Sequence, residues 1–139
     1  MPVRFTDSTA KFRLSSDFLS SNQPLSTPLG RADEAVLAVY VLTRKFPMDE
    51  RFGLSAQMRR AAASVPANIA EGYGRRGPRE KAGFYSIATG SAEELKYFLI
   101  LAKDLKYVPE PESLWASVED VCRMLRRLTE STLRGSHSS

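Results

Sequence analysis

Four stretches of this chain place apolar residues at steps of three and four, and proline or glycine bounds each stretch. That spacing follows one face of an α-helix, whereas a strand would need a period of two. Ala32, Val36, Val39, Thr43 and Phe46 form the first stripe, and Leu54, Met58, Ala61, Val65 and Ile69 the second. Phe84, Ala88, Ser91, Leu95, Phe98, Ala102 and Leu105 form the third, and Leu114, Val118, Val121, Leu125, Leu128 and Thr132 the fourth. Each helix must bury its stripe, and the connections between them are short. The economical solution is an all-α, antiparallel up-down-up-down four-helix bundle spanning residues 27–134. A chain of 139 residues suits one such domain.

The punctuation fits this reading. Thr27 is placed to cap the first helix, with Pro28 at its first position, where a missing N–H costs nothing. Pro47 stops that helix by disfavouring helical geometry at Phe46. The second helix is expected from about Phe52 to Gly72. Pro66 interrupts it, removing the bond to the Ala62 carbonyl, and predicts a kink with Asn68 or Ser64 near that carbonyl. Gly72, Gly74 and Gly77 turn the chain, and Pro78 with Glu80 opens the third helix. Gly90, next to Ser91 and Ala92, predicts close approach of another helix. Pro109 and Pro111 break the chain again, and Ser113 is the expected cap of the fourth helix. Residues 1–26 read as a poorly packed arm, and residues 135–139 as a frayed end. Arg4, Lys11 and Arg13 among serines suggest a targeting peptide, but Asp7 and Asp17 argue against it.

Several function classes are disfavoured. No run of 18 apolar residues is present, so no membrane span is expected. A single cysteine, Cys122, fits a reducing compartment, and the cytoplasm is the expected location. The only histidine, His137, lies at the extreme C-terminus, which excludes a histidine-based active or metal site. Glu93 and Glu94 invite comparison with dimetal carboxylate bundles, but those need Glu-x-x-His on two helices. No cofactor is expected. Cys122, beside the core stripe, reads as packing.

Two constellations remain. Gln57, Ser64, Asn68 and Glu71 fall on one face of the second helix, with Arg60 in reach. They read as a polar network that satisfies the backbone at Pro66 and ties the second helix to the third. Making Glu71 a general acid or base with Asn68 orienting water would be the catalytic alternative, but no nucleophile accompanies them. The second constellation is basic. Net charge is only +4, yet Arg51, Arg59, Arg60, Arg75, Arg76, Arg79 and Lys81 face only Glu71 and Glu80 between positions 51 and 81, a local charge of +5. Tyr73 adds an aromatic ring beside a flexible loop, and Arg123, Arg126 and Arg127 make a second cluster on the fourth helix. Arginine pairs bidentately with phosphate, and tyrosine stacks on unpaired bases. These ten residues, Arg59, Arg60, Tyr73, Arg75, Arg76, Arg79, Lys81, Arg123, Arg126 and Arg127, are the candidate nucleic-acid contacts. The competing reading is a solvated loop, with Tyr73 covering the bundle end.

The third helix is apolar nearly all round, with Phe84-Tyr85 and Tyr97-Phe98-Leu99-Ile100-Leu101. Burial on more than one side predicts self-association; the competing reading is a wide stripe in a monomer.

Several motifs carry a resemblance. They are Val39-Tyr40-x-Leu42-Thr43-x-x-Phe46-Pro47, Glu50-x-Phe52-Gly53-Leu54-x-x-Gln57-x-Arg59-Arg60-Ala61-Ala62, and above all Ser64-Val65-Pro66-Ala67-Asn68-Ile69-Ala70-Glu71-Gly72-Tyr73-Gly74-Arg75. Ile87-Ala88-x-Gly90-Ser91-Ala92-Glu93-Glu94-Leu95 and Val118-Glu119-x-Val121-x-Arg123-Met124-Leu125 follow in order. From about Ala32 to Leu128 the chain thus resembles the four-helix-bundle family of bacterial 23S rRNA intervening-sequence proteins. The resemblance implies a ring-shaped homopentamer and no established enzymatic activity. A related group comprises accessory proteins of diversity-generating retroelements, which bind nucleic acid and a partner reverse transcriptase through a basic surface. The chain departs from the family before the first helix, where Leu29-Gly30 stands near the position of a common tryptophan. Two readings stay open: a non-enzymatic nucleic-acid-binding oligomer, accessory to an RNA- or DNA-processing enzyme, and a structural or protein-interaction oligomer.

Overall fold

The computed structural model describes residues 24–109 and 111–135. The expected arm lies almost wholly outside the described residues, as do residues 136–139. Four α-helices account for the described chain: α1 (Pro28–Thr43), α2 (Leu54–Tyr73), α3 (Pro78–Asp104) and α4 (Glu112–Gly135), with one 3₁₀ turn at Met48–Glu50 between α1 and α2. No strand occurs among the described residues, so the fold is all-α.

Local chemistry sets most of the helix ends. At the start of α1 the Thr27 hydroxyl accepts the Gly30 N–H at 3.0 Å, and Pro28 occupies the first turn. That helix stops at Thr43, short of Phe46, and the chain tightens into three-residue turns before Pro47. At the start of α2 the Glu50 carboxylate, from outside the helix, accepts the Leu54 N–H at 3.2 Å. The α2 helix is continuous across Pro66. Asn68 donates to the Ser64 carbonyl at 2.8 Å, not to the carbonyl that the proline leaves without a donor. Ser113 is not a cap, because α4 already begins at Glu112; the helix also takes in Gly135. At the end of α3, Lys106 adopts φ 64°, and the Tyr107 and Lys106 N–H groups return to the carbonyls of Ala102 and Lys103. A left-handed residue that lets the chain fold back on the last carbonyls ends many helices, here with lysine where glycine is usual.

Each of α1 and α3 packs against both α2 and α4, and the two stand diagonally across the core. Ser64 meets Ser91 at 2.7 Å, and Gly72 lies under Tyr85, so position falls along α2 as it rises along α3. Val39, Met58, Ile69, Leu95, Leu99, Val118, Val121, Cys122 and Leu125 form the fully buried centre. The expected stripes of α1, α2 and α4 lie largely inside. In α3 the expected Ala88, Leu95 and Ala102 are buried, but Tyr85, Ala92 and Leu99 are buried in place of Phe84, Ser91 and Phe98, which are half-buried, and Leu105 is exposed. Ser91 instead sits at the α2 seam, where its hydroxyl has a partner. Gly90 is exposed, with open space where a Cβ would lie, so no helix of this chain approaches it. The close approach occurs at Gly72, where a Cβ would stand 2.4 Å from Tyr85 Cε1.

Candidate nucleic-acid interface

Among the candidate residues, the loop after α2 gathers the densest charge. Its geometry is held by Lys81, whose ammonium donates to the carbonyls of Gly72 at 3.2 Å and Tyr73 at 3.1 Å. Those carbonyls lie in the last turn of α2, so the cation completes the helix terminus. Arg75 folds back on α2, donating to Glu71 at 3.0 Å and lying 4.8 Å over the Phe84 ring. Tyr73 is 44% exposed and meets Tyr85 edge to face at 6.1 Å; burial raises its phenol pKa. Tyr85 is pushed further, to about 12, by burial and by Tyr73 beside it. Arg76 and Arg79 differ from these neighbours. Both are exposed, and neither makes an ion pair among the described residues.

The other arginines divide similarly. Arg59 is committed to α1, donating to the buried Thr43 hydroxyl at 2.8 Å and stacking 4.6 Å over Tyr40. Arg60 bonds Gln57. On α4, Arg123 pairs with Asp120 and Arg126 with Glu93 at 3.1 Å, whereas exposed Arg127 has no acid among the described residues. Exposed pairs of this kind contribute at most about 1 kcal/mol, so phosphate can compete for them. Arg59 and Lys81 are different, because their hydrogen bonds hold elements together.

The expected polar network is three separate contacts. Gln57 holds Arg60; Ser64 holds Ser91 and Asn68; Glu71 holds Arg75. Only the second ties α2 to α3. Arg60, Ser64 and Glu71 each have a different partner: Gln57 on α2 itself, Ser91 of α3 and Arg75 of the following loop.

Arg134 is missing from the sequence-based set because it borders the expected frayed end, yet it is helical and exposed. Ser86 and Thr89 of α3 share a surface hollow with Thr129 and Glu130 of α4. Arg79 lies two turns beyond that hollow along α3, and Arg134 just over a turn beyond it along α4. Both therefore stand toward one end of the bundle. Finding this pair requires the α3–α4 register, which spacing alone does not carry.

Among the described residues, no cluster of three His, Cys, Asp or Glu side chains could hold a metal ion, and no helix is long and apolar enough to cross a membrane. Cys122 is buried, and burial with Glu93 beside it pushes its thiol up to about 11, which keeps it protonated and unreactive near neutral pH. A hollow of about 430 Å³ between α3 and α4 is lined by Leu99, Ile100, Lys103, Pro111, Glu112 and Trp115, with Glu112 as its single carboxylate.

Residues 29–127, more than two thirds of the chain, match the family model described as 23S rRNA-intervening sequence protein. The match takes in every candidate contact from Arg59 to Arg127 and leaves Arg134 beyond its end. No curated protein matches the chain.

Proposed function

The chain belongs to the 23S rRNA-intervening sequence protein family, and from that premise we propose that it is a non-enzymatic, self-associating scaffold that binds nucleic acid through exposed arginines. The observation that carries this reading is the state of Arg76, Arg79 and Arg127. They are exposed cations without an acid among the described residues, on a chain whose positive charge is concentrated locally. Arginines left in this state suit bidentate contact with phosphate. Tyr73, half open beside the loop, can stack on a base. Self-association, as a pentamer by family resemblance, repeats each patch around one axis and strengthens the field. Such an assembly would act as accessory to an RNA- or DNA-processing enzyme, with a reverse transcriptase among the candidates.

A second reading has its own observation. Arg59, Arg75, Lys81, Arg123 and Arg126 all have partners within the chain. That favours a protein-interaction oligomer in which arginines mainly serve structure. Salt separates the two readings, because phosphate contacts release counterions. Fluorescently labelled single-stranded RNA and DNA of one sequence should bind at about 50 mM salt, with log affinity falling linearly against log salt. Replacing Arg76, Arg79 and Arg127 together by alanine should lower the slope by about 2, at ~0.7 per single-strand phosphate, with circular dichroism unchanged. Absence of binding at low salt would hand the case to the interaction scaffold. An unchanged slope would move the surface to the paired arginines.

A further inference from the structure

The hollow between α3 and α4 that Ser86, Thr89, Arg126, Thr129 and Glu130 line has a volume of about 280 Å³. Pockets that enclose a drug-sized molecule run from roughly 300 to 1,000 Å³, so this one has room for a sugar and its phosphate and little more. Every lining residue is polar, and their hydrogen bonds within the chain decide what they offer a ligand. Thr89 donates its hydroxyl proton to the Tyr85 carbonyl at 2.9 Å, and Thr129 donates to the Leu125 carbonyl at 2.7 Å. A hydroxyl has one proton, so both threonines present only acceptor lone pairs to the hollow. The Glu130 carboxylate is exposed, has no cation among the described residues, and can only accept. Arg126 can only donate, and the Ser86 hydroxyl can do either.

The fitting ligand therefore carries an anion for Arg126 and, beside it, a hydroxyl that donates. A phosphodiester alone fits poorly, because it brings no donor to three acceptors and Glu130 repels it. The deoxyribose of a DNA strand adds only ring and ester oxygens, which are again acceptors. A ribose adds one 2′-hydroxyl per nucleotide, next to the phosphate, and that group distinguishes RNA from DNA. Arg126 already pairs with Glu93 at 3.1 Å, but the pair is exposed and phosphate can displace it. Position agrees with chemistry. Arg79 stands two turns beyond the hollow along α3, and Arg134 just over a turn beyond it along α4. A strand held by arginines at that end of the bundle can continue directly into the hollow.

We propose that this hollow receives a ribose with its adjoining phosphate, and that it makes the chain prefer RNA to DNA. Arg126 holds the phosphate, and the 2′-hydroxyl donates to Glu130, with Thr89 and Thr129 as the neighbouring acceptors. The inference rests on the reading of the chain as a nucleic-acid binder and adds the sugar that it selects.

The test uses the full-length chain and three labelled single strands of one sequence: RNA, DNA and 2′-O-methyl RNA, which keeps the 2′-oxygen and loses its proton. RNA should bind on the order of tenfold more tightly than either of the others, the worth of one hydrogen bond to a charged group. Two variants place the preference in the hollow. Thr89→Val with Thr129→Val keeps the side-chain shape and removes both hydroxyls, and Glu130→Ala removes the carboxylate at an exposed position. Each should bring the ratio of RNA to DNA affinity toward one and leave the salt slope unchanged, because no cation is altered. Circular dichroism checks the fold, and if the double variant loses helicity, Glu130→Ala carries the test alone. RNA no tighter than DNA, 2′-O-methyl RNA equal to RNA, or a ratio that neither variant moves would overturn the inference while nucleic-acid binding stands. If none of the three strands binds at about 50 mM salt, the nucleic-acid reading falls and the inference falls with it.

Discussion

Arg59 and Arg76 belong to one basic segment, yet one is a strut and the other makes no ion pair among the described residues. Arg59 answers the hydroxyl of Thr43, itself buried and donating to the Val39 carbonyl at 2.7 Å; Arg76 is left to solvent. Spacing places both on the surface but cannot say which acquires a partner, because partners come from other elements. Glu50, in the connection between α1 and α2, shows the same point. Its carboxylate accepts the Tyr107 hydroxyl at 2.7 Å and the Leu54 N–H, from residues far apart in sequence. These bonds, the tyrosine's foremost, hold the Glu50 carboxyl below its ordinary value, and Glu50 in turn raises the Tyr107 phenol. A lowered carboxyl contributes stability that is present above the unfolded value of about 4.3 and lost as pH falls through the folded one. A raised phenol contributes stability that is present below about 10 and lost as pH rises through the folded value. Tyr107→Phe should therefore lower the melting temperature across neutral pH, and the gap from the parent should close in both acid and alkali. A gap independent of pH would mean that ring packing against Phe46, not the hydrogen bond, is what the hydroxyl supports.

At the scale of the helix, the sequence is legible where a residue acts on its own backbone. Thr27 with Pro28, and Pro78 at the start of α3, mark their helix ends through spacing and residue type alone. Such signals fail where another helix serves the backbone, as when Lys81 of α3 meets the end of α2. The partial shift of the buried stripe of α3 escapes sequence reading for another reason. With Phe84-Tyr85 and Tyr97-Phe98-Leu99-Ile100-Leu101 making the helix apolar nearly all round, periodicity alone cannot say which of two adjacent residues faces inward. Glycine shows what that ambiguity costs: spacing nominates Gly90 to admit a neighbouring helix, and Gly72 is the one that does. Substitution to alanine should separate them. Gly90→Ala should raise stability by about 1 kcal/mol, the helix-propensity difference. Gly72→Ala meets the Tyr85 ring, and overpacking of about 1–3 kcal/mol should outweigh that gain. Urea unfolding followed by circular dichroism reads both. A stabilised Gly72→Ala would show that Tyr85 has room to swing aside.

For the whole molecule, assembly and nucleic-acid binding should be coupled. The uncommitted arginines of one chain are few, so a single chain offers a short strand only a handful of phosphate contacts. A ring presents the same set once per subunit, and a strand held by one patch meets the next at high effective concentration. Avidity of this kind typically exceeds single-site affinity by about 10²–10⁴ without any new contact. Val41→Asp puts a charge on an exposed apolar position of α1, alters no arginine, and is expected to weaken self-association. If the assembly is what binds, this variant should lose at least on the order of a hundredfold in affinity for an RNA long enough to span several patches. Its salt slope should also fall, because fewer phosphates are neutralised at once. With an oligonucleotide short enough to occupy one patch, parent and variant should bind alike. That pair of substrates guards the conclusion, since loss on the short strand as well would point to local damage and not to lost avidity. Equal binding of the long strand by both proteins would mean that each chain acts alone and that the ring serves some other purpose. The reciprocal effect follows from linkage: if the assembly binds the long strand more tightly, the strand must favour the assembly. Dilute parent protein that dissociates in sedimentation should therefore reassemble when the long strand is added, and should not when the short one is.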